Sequence, residues 1–104
     1  MPGIDYAELR ARVSIADVLG LCSFQANEQS GDQVRGPCPI HGSTSPTSRS
    51  FSANLRKNNF QCFKCGASGN QLDLWVAISK LPLHVAAADL CERLGITVPE
   101  VRRD

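Results

Sequence analysis

Two closely spaced pairs of potential metal ligands constrain the fold of this chain more than any other feature of its sequence. The first pair is Cys38-Pro-Ile-His41, the second is Cys62-Phe-Lys-Cys65, and 20 residues lie between them. Two intervening residues allow a tight turn to direct both side chains at one ion, and two such turns supply the four ligands of tetrahedral zinc. The spacing therefore predicts one Zn2+ held by Cys38, His41, Cys62 and Cys65.

The donor set also indicates the kind of metal site. Three thiolates and one imidazole complete the tetrahedral coordination of zinc and leave no position for water, which is typical of a structural site rather than a hydrolytic one. Iron is the alternative metal for such ligands, and disulfides or free core thiols are the alternatives to a metal. The odd count of five cysteines and the lack of an export signal disfavour disulfides.

The remaining cysteines, the tryptophan and the second histidine receive structural interpretations. Cys22 and Cys91 fall outside the paired pattern, so we predict that both are small buried hydrophobic residues. Trp75 lies on the apolar face of a predicted helix and is expected in the core. His84 stands beside no other candidate ligand and is expected at the surface.

Helices are predicted on both sides of the ligand pairs. Three helix starts carry a capping side chain with a carboxylate three positions later, and the pairs are Asp5 with Glu8, Ser14 with Asp17, and Asn70 with Asp73. Apolar residues then recur with helical period over residues 72–79 and, after Pro82, over residues 83–94. Gly20 and Gly95 are expected to end the second and the last helix.

Short strands are predicted between these helices. Residues 33–36, 51–55 and 59–63 read as strands, residues 56–58 as a hairpin turn and residues 66–69 as a further turn. A chain of 104 residues supports one compact core. We therefore predict an α+β fold, a small zinc ribbon antiparallel sheet of two or three strands flanked by N-terminal and C-terminal helices. We expect residues 1–104 to form a single domain, with a ribbon core at about 33–69 and flanking helices at 5–20 and 70–94.

Positive charge is concentrated in the predicted ribbon. The whole chain has a net charge of +1, yet no acidic residue occurs between Asp32 and Asp73. This window contains five cations and three phenylalanines, a combination that suits a single-stranded nucleic acid, because cations attract phosphates and bases stack on rings. The candidate contacts are Arg35, Arg49, Arg56, Lys57, Phe60, Phe63 and Lys64. The alternative is an ordinary solvated surface over a sheet whose phenylalanines, Phe51 included, are mostly core.

Three segments together resemble one known family. Gly36-Pro-Cys-Pro-Ile-His41, Ser50-Phe51 and Phe60-Gln-Cys-Phe-Lys-Cys-Gly-Ala-Ser-Gly-Asn70 are similar to the zinc-binding domain of bacterial replicative DNA primases. The helical residues 13–20 and 86–96 resemble the leading and closing helices of that family, so the likeness covers nearly the whole chain. One departure is a longer Ser/Thr-rich loop without acidic residues at residues 43–50.

The resemblance implies a function as well as a fold. The family holds zinc through the residues matching Cys38, His41, Cys62 and Cys65, and its domain helps to engage the single-stranded template during primer synthesis. Polymerisation belongs to a separate domain, so we expect no enzymatic activity from this chain alone, whether it is an accessory protein or the N-terminal part of a DNA primase. The expected partners are single-stranded DNA and a primase catalytic domain or replication protein, in the cytoplasm and without a membrane.

Two other classes of function compete with this one. The same ribbon is suited to act as a zinc-stabilised protein interaction module that docks on a replication or mobile-element partner, in which case DNA binding is weak and almost independent of salt. A redox enzyme using Cys62 and Cys65 would need an exposed thiolate, whereas closed zinc coordination occupies both sulfurs.

Overall fold

The computed structural model describes residues 3–40 and 48–101, and within them the chain forms an α+β fold, as predicted. The strands of these residues form one five-stranded antiparallel sheet in the spatial order β1-β2-β3-β4-β5. The same residues also form four helices. The elements in chain order are α1 (Tyr6–Arg12), α2 (Ile15–Leu21), β1 (Glu28–Ser30), β2 (Gln33–Gly36), β3 (Phe51–Asn54), β4 (Asn59–Cys62), β5 (Ser68–Asn70), α3 (Gln71–Ser79) and α4 (Leu83–Leu94).

The three predicted helix starts are present. The Asp5 side chain accepts a hydrogen bond from the backbone N–H of Glu8, and both Ser14 and Asn70 form full capping boxes with the carboxylates three residues later. Gly95 ends α4 in the left-handed conformation, as expected. The prediction for Gly20 was wrong, because α2 continues through Gly20 to Leu21. The backbone N–H of Cys22, the next residue, donates to the Val18 and Gly20 carbonyls.

The sheet has five strands, whereas the sequence predicted two or three. The edge strand β1 is polar and exposed throughout, so it shows no alternation of apolar and polar residues. It pairs with β2 across the tight turn at Gly31, whose φ of 59° favours glycine. The other edge strand, β5, includes Ser68 and Gly69 of the predicted turn, and Gly69 has a φ of 148°. Backbone pairing with neighbouring strands, rather than side-chain burial, creates both edges.

The core lies on one side of this sheet. Alternation along the strands directs Val34 of β2, Phe51 and Ala53 of β3, and Phe60 and Cys62 of β4 towards the helices, and all five side chains are buried. The Phe51 and Phe60 rings stack with their centroids 5.7 Å apart. From the helices come the other large core residues, which include Leu9, Ile15, Leu74, Trp75 and Leu90.

Two polar side chains join the helices to each other and to the sheet. Buried Gln71, at the start of α3, donates from its Nε2 to the Arg10 and Val13 carbonyls, 3.0 and 2.9 Å away. In the turn between β3 and β4, the Asn58 side chain accepts from the Ile15 N–H at 2.8 Å. These bonds fix the ribbon against the N-terminal helices, so the position of the sheet depends on both ends of the fold.

Residues 3–40 and 48–101 contain the four helices given above. No single helix there is long and apolar enough to cross a bilayer. The pair α3 and α4 meets the length and composition criteria together, but the two helices are bent by 99° at their junction.

The residue that ends α3 has a strained backbone conformation. Lys80 has a φ of 59°, a conformation that disfavours a side chain with a Cβ atom, and its N–H bonds to the Val76 carbonyl at 2.8 Å. We predict that Lys80→Gly stabilises the zinc-loaded protein by about 0.5 kcal/mol, because glycine relieves the strain and retains the N–H. Urea unfolding followed by fluorescence of the single tryptophan, Trp75, measures this.

The control is Lys57→Gly at an exposed turn position without a positive φ. Glycine there increases the entropy of the unfolded chain without relieving strain, so it is expected to destabilise slightly. Equal destabilisation by both variants would contradict the account of Lys80.

Candidate metal centre and nucleic-acid interface

Three cysteines meet at one end of the sheet. Cys38 follows β2, Cys62 ends β4, and Cys65 lies in the turn that leads to β5. Their sulfur atoms all lie within 4.8 Å of one another. The register explains this meeting, because Gly36 of β2 and Cys62 both pair with Phe51, so the two segments flank the same end of β3.

The turn after β4 presents hydrogen-bond donors to the Cys62 sulfur. The Cys65 N–H donates to it at 3.4 Å, and the Gly66 N–H donates to the Cys62 carbonyl at 3.0 Å. Burial acts to raise the pKa of the Cys62 thiol, but hydrogen bonds from the Cys65 and Lys64 backbones and from the Cys65 and Cys38 side chains outweigh it and lower the pKa. A thiol with a lowered pKa is readily deprotonated, as a metal ligand must be.

These three thiols fit a zinc ion. With zinc to sulfur bonds of about 2.3 Å, the ligand atoms of a tetrahedral site lie about 3.8 Å apart, within the limit that the cluster satisfies. Cys38 and Cys62 are buried and Cys65 is exposed, so the site lies at the edge of the core. His41, the predicted fourth ligand, lies outside the described residues.

The other two cysteines lie outside the cluster. Cys91 is fully buried in the core, where burial raises the pKa of its thiol. Cys22 is half-buried, its sulfur donates to the Leu19 carbonyl at 3.4 Å, and burial raises the pKa of its thiol despite hydrogen bonds that lower it. All five cysteines lie in the described residues, and none of them forms a disulfide there.

The side of the sheet that faces away from the core is polar. Two rows of paired residues cross all five strands there, and we call these ten residues the open face. The first row is Glu28, Arg35, Ser52, Gln61 and Ser68, and the second is Ser30, Gln33, Asn54, Asn59 and Asn70. A shallow depression lined by Gln33, Ser52, Gln61 and Ser68 runs across its centre. Amide and hydroxyl groups therefore dominate this surface.

Phe63 lies beside Arg35, at the end of the open face nearest the cysteines. Phe63 is 62% exposed, and the Arg35 guanidinium carbon lies 5.4 Å from its ring centroid. The Phe63 N–H donates to the Ser50 carbonyl at 2.8 Å, and Arg35 Nη2 donates to the Arg49 carbonyl at 2.8 Å. An exposed ring is thus held beside a cation at a fixed place on the sheet.

The other predicted nucleic-acid contacts have separate positions. Arg56 and Lys57 are exposed in the turn between β3 and β4, where both N–H groups donate to Asn54 Oδ1. Lys64 is exposed between two of the clustered cysteines. Phe60, in contrast, is 4% exposed and stacks on Phe51, so its ring belongs to the core and does not face solvent.

An acidic residue that the sequence analysis missed also belongs to this face. Glu28 Oε2 accepts from Arg49 Nη1 at 2.8 Å, so one of the five ribbon cations has a carboxylate partner. Counting charges between Asp32 and Asp73 could not reveal it, because Glu28 lies before that window. The sequence also did not identify Gln33, Ser52 and Ser68 as residues of this face. The alternation that directs Val34 into the core does place Gln33 on the opposite face of the sheet.

Clustered thiols in the turns of a small antiparallel sheet define a zinc ribbon. The family model described as the CHC2 zinc finger matches residues 3–104, nearly the whole chain. The chain belongs to this family, and it is a zinc-binding domain of the DNA primase type.

Curated relatives and a solved structure agree with this assignment. The chain is 35% identical over 88 residues to a DNA primase of Geobacillus stearothermophilus, a match that covers 85% of this chain and 14% of that protein. It is 32% identical over 102 residues to a DNA primase of Mycolicibacterium smegmatis, covering 94% of this chain and 15% of that protein. The chain therefore spans about one seventh of the length of these relatives.

The solved structure is that of the Aquifex aeolicus primase, described as its zinc binding and RNA polymerase domains. The match has a TM-score of 0.70 and 30% sequence identity, and it covers 94% of this chain and 23% of that one. The similarity in structure thus extends over almost all of this chain.

The exposed member of the cysteine cluster provides a direct test of metal binding. We predict that Cys65→Ser weakens zinc binding by more than about 100-fold, because loss of a direct ligand should cost more than loss of an outer-shell partner. Zinc content per chain after dialysis against a chelator measures the effect. Cys22→Ser is the matched control and should retain zinc as the unaltered protein does, since Cys22 lies outside the cluster. Equal zinc retention by both variants would contradict the assignment.

Proposed function

We propose that this chain is a zinc-dependent module that binds single-stranded DNA in replication or primer synthesis. The observation that carries the proposal is the exposed Phe63 ring beside Arg35, at the end of an amide-rich sheet face. Single-strand binding sites combine exposed aromatic rings, on which bases stack, with cations that follow the phosphates. The relatives are described as DNA primases, and this supports the same proposal.

Each group has a defined role in this proposal. A base stacks on Phe63, while Arg35, Arg49, Arg56, Lys57 and Lys64 contact phosphates. Amides of the open face, among them Gln33 and Gln61, offer hydrogen-bond donors and acceptors to base edges. Phe60 acts from the core by supporting β3 and β4, which carry the exposed groups.

We further propose that residues 1–104 act as one non-catalytic domain in the cytoplasm. The Aquifex protein is described by separate zinc binding and RNA polymerase domains, and this chain covers 23% of it. Primer synthesis therefore requires a catalytic unit as partner. A redox role for Cys62 and Cys65 is not part of the proposal, because both thiolates are assigned to zinc.

The proposed zinc ligands are Cys38, His41, Cys62 and Cys65, and the zinc is structural. Three thiols are already clustered, and His41 follows Cys38 at the spacing of the ligand pairs. When bound, the metal fixes the ribbon turns, and the chain's own residues do the binding.

The two histidines of the chain allow a matched test of the fourth ligand. We predict that His41→Ala lowers zinc retention under chelator challenge, because it removes one of four ligands, whereas His84→Ala leaves it unchanged, since His84 is exposed on α4. Metal analysis of both variants after the same dialysis gives the answer. Full zinc retention by His41→Ala would exclude His41 as a ligand.

DNA binding is tested on the exposed ring. We predict that Phe63→Ala weakens binding of the zinc-loaded protein to a labelled single strand by about 5- to 100-fold, the range for loss of one stacked base. Leu83→Ala on α4 is the control, since it removes another exposed apolar side chain. It should change the affinity by less than about twofold. Fluorescence anisotropy measures both.

The salt dependence of the same assay separates the competing function. Replacing both Arg56 and Lys57 by alanine should reduce the slope of log affinity against log salt by up to about 1.4, or about 0.7 for each lost phosphate contact. If the zinc-loaded protein does not bind single strands at low salt, the DNA-binding proposal fails. The protein interaction module would then be the better explanation of the ribbon surface.

A further inference from the structure

The open face contains one carboxylate among its paired residues. Glu28 begins β1, pairs directly with Arg35 in the β1–β2 register, and is the only acidic residue among the ten that form the open face. Its Oε2 lies 2.8 Å from Arg49 Nη1. Glu28 therefore stands beside two cations of this surface, since it bonds to Arg49 and pairs in register with Arg35, whose Nη2 donates to the Arg49 carbonyl at 2.8 Å.

The bond to Arg49 differs from the other ion pairs of the described residues. Glu8 with Arg12 and Asp89 with Arg93 join positions one turn apart on a single helix. Glu28 and Arg49 are 21 residues apart, and their bond connects an edge strand to the segment that enters β3. This pair depends on the tertiary fold rather than on helix geometry.

The pair is also exposed. The Arg49 and Glu28 side chains are 59% and 47% exposed, so water and salt screen their attraction. A phosphate group offers the guanidinium the same kind of charge-assisted hydrogen bond that the carboxylate makes. A phosphate that approaches Arg49 therefore competes with Glu28 for the same donor.

We propose that Glu28 is an internal competitor for phosphate at Arg49 and so limits the electrostatic part of nucleic-acid binding. The carboxylate occupies Arg49 in the free protein and repels a backbone that passes Arg35. Binding then depends more on base stacking at Phe63 and on the amides of the open face than on charge. This inference rests on the proposed function and assigns Glu28 an inhibitory electrostatic role within the same site.

The test is to replace Glu28 by its neutral isostere. Glu28→Gln should bind a labelled single strand about eightfold more tightly at 50 mM salt and about threefold more tightly at 200 mM salt, the effect of one additional phosphate contact. The salt slope should become steeper by about 0.7 for the same reason. A purely structural role for Glu28 would not increase the slope.

Glu8→Gln is the matched control. It changes the net charge equally and breaks an ion pair of 2.9 Å whose side chains are 52% and 47% exposed, but it lies on α1, which packs on the core side of the sheet. We expect it to leave both affinity and slope as in the unaltered protein. Glu28→Ala should reproduce the gain of Glu28→Gln, and adding Arg49→Ala to Glu28→Gln should remove most of it.

The outcomes separate two kinds of failure. If the unaltered protein does not bind single strands at low salt, the proposed function itself is wrong. If the unaltered protein binds and Glu28→Gln behaves like Glu8→Gln, the competitor role is overturned while DNA binding stands.

Discussion

The cluster of Cys38, Cys62 and Cys65 is the constraint on which the rest of the structure depends. It joins the end of β2 to the turn after β4, two segments that no direct strand pairing connects, because β3 lies between them. A domain of 104 residues has a limited core, and structural zinc contributes on the order of 10 kcal/mol to folding in comparable small units. The metal is therefore expected to hold the sheet in its register.

The same turns connect the metal centre with the candidate interface. Cys62, the last residue of β4, is buried in the core, whereas Phe63, which follows it, is exposed. Lys64 stands directly before Cys65. Arg35 precedes Cys38 by three residues and lies against Phe63. Fixing the sulfurs thus also fixes the ring and its neighbouring cation. Under the proposed function, a structural metal would therefore control the DNA-binding surface while the side chains of the chain contact the DNA.

Local sequence signals predicted the parts of the fold that local chemistry determines. Capping residues such as Asn70 and the ligand pairs act over a few positions, so they can be read directly from the sequence. The edge strands could not be found in this way, because polar β1 depends on pairing with β2 and carries no apolar pattern. For the same reason the Glu28 partner of Arg49 was missed, since tertiary pairing alone brings them together.

The most direct test of this account follows metal content and DNA binding in one chelator titration of the unaltered protein. The account predicts that affinity for single-stranded DNA falls in proportion to zinc released, with a loss of amide exchange protection in β3 and β4, and that both recover when zinc is returned. A zinc-free protein that binds single strands as tightly as the zinc-loaded protein would contradict the claim that the metal holds the binding surface.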